Sequence, residues 1–399
     1  MASVRNRTTI MLVILHLLLQ VSRALTLAAP SGPYSISTTP RQFTDTSRHD
    51  PIALQFHNIT TPRKLMTSIF YPREKTKPAC HTSYMPRKTA AFINAEYELA
   101  PESLEKLTLP IACPSDKRHS RSSNPHESEF PLLMFSPAFG TSRLMYSSLA
   151  SEIASYGFVV VTVDHPGDVD IIEFPDNSTT ISPFLSVTDE ASLIAFANEA
   201  QNTRVADVLY VLDQLSFPST LQSLGLPCSL KTSKVGIFGH SLGGSSALIA
   251  IQNDTRFEGA INMDGYIFGP PPYYVPTEGT NKPFLLFGGE GDNRTCCGES
   301  GFVSLWGAFW NASDGYKLEL ELKEAQHYDF SDVPLILKTL QHNESSNLQA
   351  MYPLGTIDGL RVRGLLSAYV VAFFEKILQE KDQPLLDRPS KKYPEVSFV

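Results

Sequence analysis

Short apolar runs bounded by turn-forming residues recur along the chain. They are nearly continuous in Val, Ile, Leu, Met and Phe, which is typical of strands that are buried on both faces of a sheet. The sequence predicts such strands at 131–136, 158–163, 235–238, 259–263 and 283–287. A shorter β-prone stretch precedes them at 65–71.

Helical patterns separate these runs. The sequence predicts helices at 146–156, 189–215 and 242–252, and around 360–378. In the second of them, the apolar residues Val205, Val208, Leu209, Leu212 and Leu215 keep i, i+3, i+4 spacing. One apolar face of that helix can therefore pack on a sheet. Alternating buried strands and amphipathic helices predict an α/β fold with a mostly parallel central sheet, covered by helices on both faces.

The N-terminus has the pattern of a targeting signal. Arg5 and Arg7 precede an apolar run at 10–19, and the small residues Ser22 and Ala24 follow it. That run is roughly half the length of a helix that spans a bilayer, which needs about 20 residues. We therefore expect residues 1–24 to be a signal peptide that is cleaved after Ala24.

Two polar stretches follow the signal. Residues 25–50 are rich in Ser, Thr and Pro and are expected to be an irregular lead-in. Residues 51–399 are expected to form a single domain. It would contain a polar insertion around 80–130, most polar at 115–129, which we expect to be an exposed loop.

Sequons and cysteines are consistent with an extracellular protein. We expect Cys80 and Cys113 to close a loop, whereas the adjacent Cys296 and Cys297 suit two different partners. The fifth cysteine is Cys228, and because five is an odd number, one of the five stays unpaired. The sequence contains no C-x-x-C pair that would indicate a zinc site. Beyond the signal, N-x-S/T sequons stand at Asn58, Asn177, Asn253, Asn293, Asn311 and Asn343.

Composition excludes two classes of protein. With 42% hydrophobic and 19% charged residues, the chain can bury a core and is not a disordered protein. The formal net charge of -8 argues against a nucleic-acid partner, which would require a basic face.

Gly239-His240-Ser241-Leu242-Gly243 is a G-x-S-x-G motif that stands between a predicted strand and a predicted helix. In that context the motif is typical of a nucleophile elbow, where a sharp turn presents the serine. Both glycines would be required because a side chain at either position would collide with neighbouring backbone. The sequence therefore predicts the α/β-hydrolase fold, with Ser241 as the nucleophile.

A serine nucleophile needs a histidine base and a carboxylate that orients the base, in the chain order Ser, acid, His. The histidines downstream of Ser241 are His327, in a loop-like segment after a strand-like run, and His342, in a polar sequon-bearing stretch. We expect His327 to be the base. Asp264 and Asp292 both follow apolar runs, so spacing leaves the acid open between them.

An oxyanion hole needs two backbone N–H groups. One would come from Leu242, the residue after the nucleophile, and the other from residues 135–140 at the end of an early strand. Phe139 is the expected donor, and we call the part of this segment that follows Phe135 the 136–140 loop.

Four segments together resemble the platelet-activating factor acetylhydrolase family: MFSPAFGTSRLMYSSLASEIASYGFVVVTVDH, GHSLGG, FEGAINMDGYIFG and HYDFSD. The resemblance implies Asp264 as the acid and supports Phe139 as an oxyanion donor. The chain differs from the family pattern at Pro137-Ala138, where relatives usually carry His-Gly.

The resemblance also implies calcium-independent release of short or oxidised acyl chains from glycerophospholipids. The residues themselves indicate an acyl-enzyme mechanism without metal or other cofactor. The expected partner is a small-molecule or lipid ester, and a lipid would bring transient contact with lipid surfaces. Alternatives are an esterase, lactonase or thioesterase that acts on another ester, and an inactive hydrolase fold used for binding.

Overall fold

The computed structural model describes eight stretches of the chain, at 25–74, 80–113, 129–183, 190–226, 229–267, 278–294, 305–341 and 352–399. The predicted signal peptide, most of the polar stretch 115–129, His342, Asn343, Cys228, Cys296 and Cys297 lie outside these residues.

Fourteen strands lie in the described residues. Their bounds are β1 Leu25–Thr26, β2 Ser35–His49, β3 Pro62–Arg73, β4 Cys80–Ser83, β5 Leu107–Ile111, β6 Glu129–Ser136, β7 Val159–Asp164, β8 Ile171–Glu173, β9 Thr179–Ile181, β10 Ser229–His240, β11 Phe257–Met263, β12 Phe284–Gly288, β13 Lys317–Leu322 and β14 Val396–Phe398. The six strands that the apolar runs predict are all present, as β3, β6, β7, β10, β11 and β12.

Nine α-helices lie in the same residues. Their bounds are α1 Pro51–His57, α2 Arg87–Glu96, α3 Ser147–Ala154, α4 Glu190–Ser216, α5 Pro218–Leu224, α6 Leu242–Asn253, α7 Leu305–Ala312, α8 Val333–Leu340 and α9 Gly359–Gln379. The four predicted helices correspond to α3, α4, α6 and α9. Among the described helices, none has the length and apolar character needed to cross a bilayer.

Nine strands form the central sheet, in the order β14-β13-β12-β11-β10-β6-β7-β3-β2. The six strands from β13 to β7 run parallel, and β14, β3 and β2 are antiparallel to their neighbours. This arrangement confirms the mostly parallel sheet of an α/β-hydrolase fold.

Both faces of the sheet are covered. On β12, Leu285 and Phe287 pack into one apolar cluster with α3 and α9, while Leu286 packs into a second cluster with α4 and α6. Successive side chains of a strand point to opposite faces, so an unbroken apolar run can supply both clusters. The periodic face of α4 is buried too, with Val208 and Leu212 in the second cluster.

The irregular lead-in predicted for 25–50 is wrong for most of its length. Residues Ser35–His49 form the 15-residue strand β2, which pairs antiparallel with β3 from Ser35↔Arg73 to His49↔Pro62. The segment is polar because β2 is the edge of the sheet, so much of its surface faces water. Its backbone hydrogen bonds come from β3 rather than from a local pattern.

The exposed loop predicted around 80–130 is wrong for the part up to Cys113. That part carries β4, α2 and β5, and the last two contribute buried residues such as Ile93 and Leu107. Strands β1, β5 and β4 form a separate three-stranded sheet, with β1 parallel and β4 antiparallel to β5. The predicted disulfide between Cys80 and Cys113 is present and confirmed.

Candidate active site

Ser241 lies on the turn between β10 and α6. Its backbone has φ 56° and ψ -126°, a conformation that non-glycine residues rarely adopt. The turn is fixed from outside, because the Ser241 N–H donates to the Met263 carbonyl at 2.8 Å. The strand, strained serine and helix follow in the order that the G-x-S-x-G motif predicts.

The two glycines that flank this turn leave no room for a side chain. A Cβ atom at Gly239 would lie 2.3 Å from the Gly243 carbonyl oxygen, and one at Gly243 would lie 2.1 Å from the Ser136 carbonyl oxygen. Both neighbours are backbone atoms, which cannot move aside as the end of a flexible side chain can. The predicted requirement for glycine at both positions is confirmed.

His327 and Asp264 form a short hydrogen bond at the carboxyl edge of the sheet. Nδ1 of His327 lies 2.6 Å from Oδ2 of Asp264. The Asp264 side chain is buried, whereas the His327 side chain is 28% exposed. An imidazole that donates from Nδ1 presents a lone pair on Nε2, the state required of a general base.

Asp264 directly follows β11 and is held by backbone on the neighbouring strand. Its N–H donates to the Phe287 carbonyl at 2.9 Å, and its Oδ1 accepts from the Gly289 N–H at 2.7 Å. Its φ of 52° is left-handed, and the turn continues at Gly265, where a Cβ would lie 2.1 Å from the Ser241 carbonyl oxygen. The Asp-Gly sequence therefore lets this carboxylate come close to the serine turn.

Asp292, the other candidate acid, is the second member of a carboxyl pair. Its side chain hydrogen-bonds Asp264, and burial together with the charge of Asp264 raises the pKa of Asp292 to about 6. The sequence leaves the acid open between the two, and the geometry joins Asp264 to His327.

A buried carboxylate fixes the segment that carries His327. His327 begins a short 3₁₀ helix, His327–Phe330. One oxygen of Asp329 accepts from the Gln326 N–H at 2.8 Å and from the Gly355 N–H at 2.5 Å. These bonds connect the segment before His327 to the chain that leads into α9.

His240 is a site residue that the sequence reasoning missed, although it lies inside the motif. It is fully buried, and its Nδ1 lies 2.8 Å from the Tyr146 hydroxyl. Its ring is 4.6 Å from the His327 ring, centre to centre. Burial, with the nearby His327, keeps the pKa of His240 well below its ordinary value, so this ring is neutral.

The two predicted oxyanion donors belong to adjacent elements. Leu242 is the first residue of α6. The lack of a side chain at Gly243 lets the start of α6 lie against the 136–140 loop, since a Cβ there would be 2.1 Å from the Ser136 carbonyl oxygen. Phe139 is partly exposed, and its ring lies 5.5 Å from that of Phe196.

One group in the described part of the chain has metal-ligand spacing. The ligand atoms of His240, Asp264 and His327 lie within 4.8 Å of one another. Asp264 and His327 already hydrogen-bond each other, and Nδ1 of His240 bonds Tyr146. The Nδ1 atoms of both histidines are therefore already hydrogen-bonded.

Exposure separates the described sequons. Asn58, Asn177, Asn253 and Asn311 are exposed, whereas Asn293 is partly buried and its Nδ2 donates to Glu321 at 2.7 Å.

The mostly parallel sheet, its helical layers and the strained serine between β10 and α6 define an α/β hydrolase. A solved ferulic acid esterase from Streptomyces cinnamoneus has the same fold, with a TM-score of 0.75 and 28% sequence identity. The match covers 94% of this chain and 99% of that one.

The sequence matches the family model of platelet-activating factor acetylhydrolase, isoform II, at residues 24–206 and 208–379. The chain belongs to this family, as its motifs indicate. A probable 1-alkyl-2-acetylglycerophosphocholine esterase of Arthroderma benhamiae is 32% identical over 389 residues, which cover 94% of this chain and 93% of that protein. The platelet-activating factor acetylhydrolase of Cavia porcellus is 28% identical over 156 residues, 35% of this chain and 36% of that protein.

Proposed function

We propose that the chain is a secreted serine ester hydrolase with Ser241, His327 and Asp264 as its catalytic triad. The observation that carries the proposal is the 2.6 Å hydrogen bond between His327 and Asp264, beside the strained elbow of Ser241. A histidine oriented by a carboxylate in this way can take the proton of the serine hydroxyl.

In the proposed mechanism, Nε2 of His327 accepts the Ser241 proton as Oγ attacks the ester carbonyl. Asp264 holds the Nδ1–H tautomer and stabilises the imidazolium that forms. The N–H groups of Leu242 and Phe139 bind the oxyanion of the tetrahedral intermediate. The alcohol leaves with a proton from His327, and water then attacks the acyl-enzyme by the same route.

The proposed substrate is a glycerophospholipid with a short acyl chain at the scissile ester. The support comes from a relative. The Arthroderma protein, which aligns with 94% of this chain, is named a probable 1-alkyl-2-acetylglycerophosphocholine esterase. Apolar side chains exposed on and after α1, at Leu54, Phe56 and Ile59, would favour brief contact with a lipid surface.

An ester with an aromatic acyl group is the second candidate. The structural neighbour with the same fold is a ferulic acid esterase. The ring of Phe196 lies between Phe139 and Phe56, at 5.5 and 5.2 Å centre to centre. A row of aromatic rings that begins at a proposed oxyanion residue could stack on a planar acyl group.

Labelling with a fluorophosphonate tests the enzyme proposal. We expect the folded wild-type chain to form one adduct, at Ser241. Ser241→Ala should lose the adduct and nearly all ester hydrolysis, with a change in stability of at most about 1 kcal/mol, because the hydroxyl contributes little packing. An unlabelled but folded wild-type chain would favour a binding protein with an inactive hydrolase fold.

A hydrolysis screen separates the substrate candidates. It compares phosphatidylcholines with acetyl, butyryl and palmitoyl groups at the second position, and methyl ferulate with methyl acetate. The phospholipid proposal requires kcat/KM to be highest for the acetyl phospholipid. A preference for methyl ferulate would select the aromatic alternative.

Secretion is supported by the disulfide between Cys80 and Cys113, since such bonds persist in oxidising compartments. N-terminal sequencing of secreted protein should find Leu25 as the first residue. A sequence that starts at Met1 or Ala2 would contradict the proposed cleavage after Ala24.

A further inference from the structure

A fully buried arginine lies against the 136–140 loop. Arg204 projects from α4 with no exposed surface, and its Nε donates to Oδ2 of Asp168 at 2.7 Å. Nη2 donates to the Ala138 carbonyl at 3.1 Å, and Nη1 donates to the Pro137 carbonyl. Nη1 also lies 3.2 Å from Oγ of Ser136. Asp168 balances the charge, so the guanidinium can hold two successive loop carbonyls without being left as a lone buried ion.

Tyr146 holds the same loop through the opposite edge of the backbone. The Ala138 N–H donates to the Tyr146 hydroxyl at 3.1 Å. That hydroxyl lies 2.8 Å from Nδ1 of His240, the residue before Ser241. Since the His240 ring is neutral, its Nδ1 can accept a hydrogen bond that the Tyr146 hydroxyl donates. Tyr146 thus connects the 136–140 loop to the serine elbow.

These contacts determine the direction of the next amide. In a planar trans peptide, the carbonyl and the N–H of the following residue point in opposite directions. The Ala138 carbonyl points at Arg204, so the Phe139 N–H points away from it. The preceding peptide obeys the same rule, with the Pro137 carbonyl on Arg204 and the Ala138 N–H on Tyr146.

We propose that Arg204 and Tyr146 are positioning residues that fix the Phe139 N–H for the oxyanion of the reaction. The inference rests on the proposed function, because it assigns these residues to the oxyanion hole of that mechanism. A donor fixed before the reaction needs no reorganisation when the charge develops. Loss of either residue therefore lowers kcat and leaves ground-state binding of the ester nearly unchanged.

The test compares Arg204→Lys with Arg363→Lys. Arg363 is a matched control, because it is also buried, lies 3.2 Å from Glu152 and donates to the Ala28 carbonyl at 2.7 Å. Its contacts lie on α3 and the segment after β1, not on the 136–140 loop. Lysine keeps the charge in both variants but lacks the planar fork that holds two acceptors at once.

The measurements are kcat and KM for p-nitrophenyl acetate, the pH profile of kcat, the melting temperature, and the Kd of a trifluoromethyl ketone that forms a tetrahedral adduct. Arg204→Lys should lower kcat roughly 10- to 100-fold, a smaller decrease than the complete loss of an oxyanion donor causes. The Kd of the ketone should rise by a similar factor. KM should change less than about threefold, and the pH profile should keep its midpoint because His327 and Asp264 are untouched. Arg363→Lys should lower the melting temperature and keep the wild-type kcat.

Tyr146→Phe provides a second variant that keeps the ring and its packing, so it decides the matter if Arg204→Lys does not fold. It should also lower kcat with little change in KM. The inference would be overturned, and the proposed function would stand, if a folded Tyr146→Phe or Arg204→Lys protein kept the wild-type kcat. The same conclusion would follow if Arg363→Lys lowered kcat as much as Arg204→Lys does. If the wild-type chain forms no Ser241 adduct and hydrolyses no ester, the proposed function itself is wrong, and the inference is overturned with it.

Discussion

Asp264 and His327 are 63 positions apart in the sequence, yet Oδ2 of the first lies 2.6 Å from Nδ1 of the second. Each comes from a segment that directly follows a strand of the parallel sheet, Asp264 after β11 and His327 after β13. The carboxyl ends of parallel strands share one edge, so these segments meet the serine elbow there.

The first prediction separates the two carboxylates. Asp264→Asn should lower kcat roughly 10⁴-fold, because an amide at that position favours the wrong tautomer of His327. Asp292→Asn should have a far smaller effect, since it is Asp264, and not Asp292, that lies within hydrogen-bond distance of Nδ1 of His327. Steady-state kinetics on both variants is the measurement. An Asp292→Asn defect as large as that of Asp264→Asn would refute the assignment of the acid.

The second prediction concerns pH and stability. The pKa of Asp292 rises from 3.8 in its ordinary state to about 6 in the fold. The protonated form therefore stabilises the fold below about pH 4, and this contribution is lost as the pH rises through about 6. At pH 8 the folded chain carries two adjacent negative charges. Asp292→Asn removes one of them and should be more stable than wild type by about 1 kcal/mol, a value reduced for the partial exposure of the side chain.

Urea unfolding at pH 4.5, 6 and 8 measures this effect, and the advantage of Asp292→Asn should shrink towards pH 4.5. Asp382→Asn is the control, because Asp382 is an exposed aspartate outside the site. Wild type and Asp292→Asn should differ most at pH 8. A constant difference between them across the range would contradict the raised pKa of Asp292.

The third prediction concerns the disulfide. Cys80 and Cys113 enclose the segment that carries β4, α2 and β5, with a sequence separation of 33. Replacing both with serine should lower the free energy of unfolding by about 2–4 kcal/mol, because the unfolded chain gains the freedom that the cross-link removes. Thermal melts of the double variant and of wild type with a reducing agent should coincide. A double variant as stable as the oxidised wild type would show that the bond adds nothing.

Local patterns predicted many of the strands and helices that supply the core, but not α2, β5 and α8, whose residues Ile93, Leu107 and Ile336 are buried in it. The apolar runs of β7 and β12 place apolar side chains on both faces of the sheet, so both faces must be buried against other elements. The nucleophile elbow can be identified from its own residues alone. The edge strand β2 could not be predicted in this way, because its polar residues have little pattern and its backbone partners lie on β3.

The supporting shell of the site was equally inaccessible to sequence reasoning. Charged residues such as Arg204 and Asp168 are usually solvated, and nothing local indicates that these two have no exposed surface. Their pairing depends on where α4 crosses the 136–140 loop, which only the folded chain determines. His240 is different, because its place inside the motif could have indicated a buried role.

The last prediction tests the close approach at the elbow with two glycines in helices. A Cβ at Gly243, in the first turn of α6, would lie 2.1 Å from the Ser136 carbonyl oxygen and 2.5 Å from that of Pro137. Gly243→Ala should therefore displace the elbow from the 136–140 loop, with a loss of at least about 2 kcal/mol in stability and of most Ser241 labelling.

At Gly364, in α9, a Cβ would meet nothing within 4 Å. Gly364→Ala should instead raise stability by about 0.5–1 kcal/mol through helix propensity, with unchanged labelling. Urea unfolding and fluorophosphonate labelling of the two variants measure both effects. If Gly243→Ala matched Gly364→Ala in both, the contact between the elbow and the loop would be looser than this geometry requires.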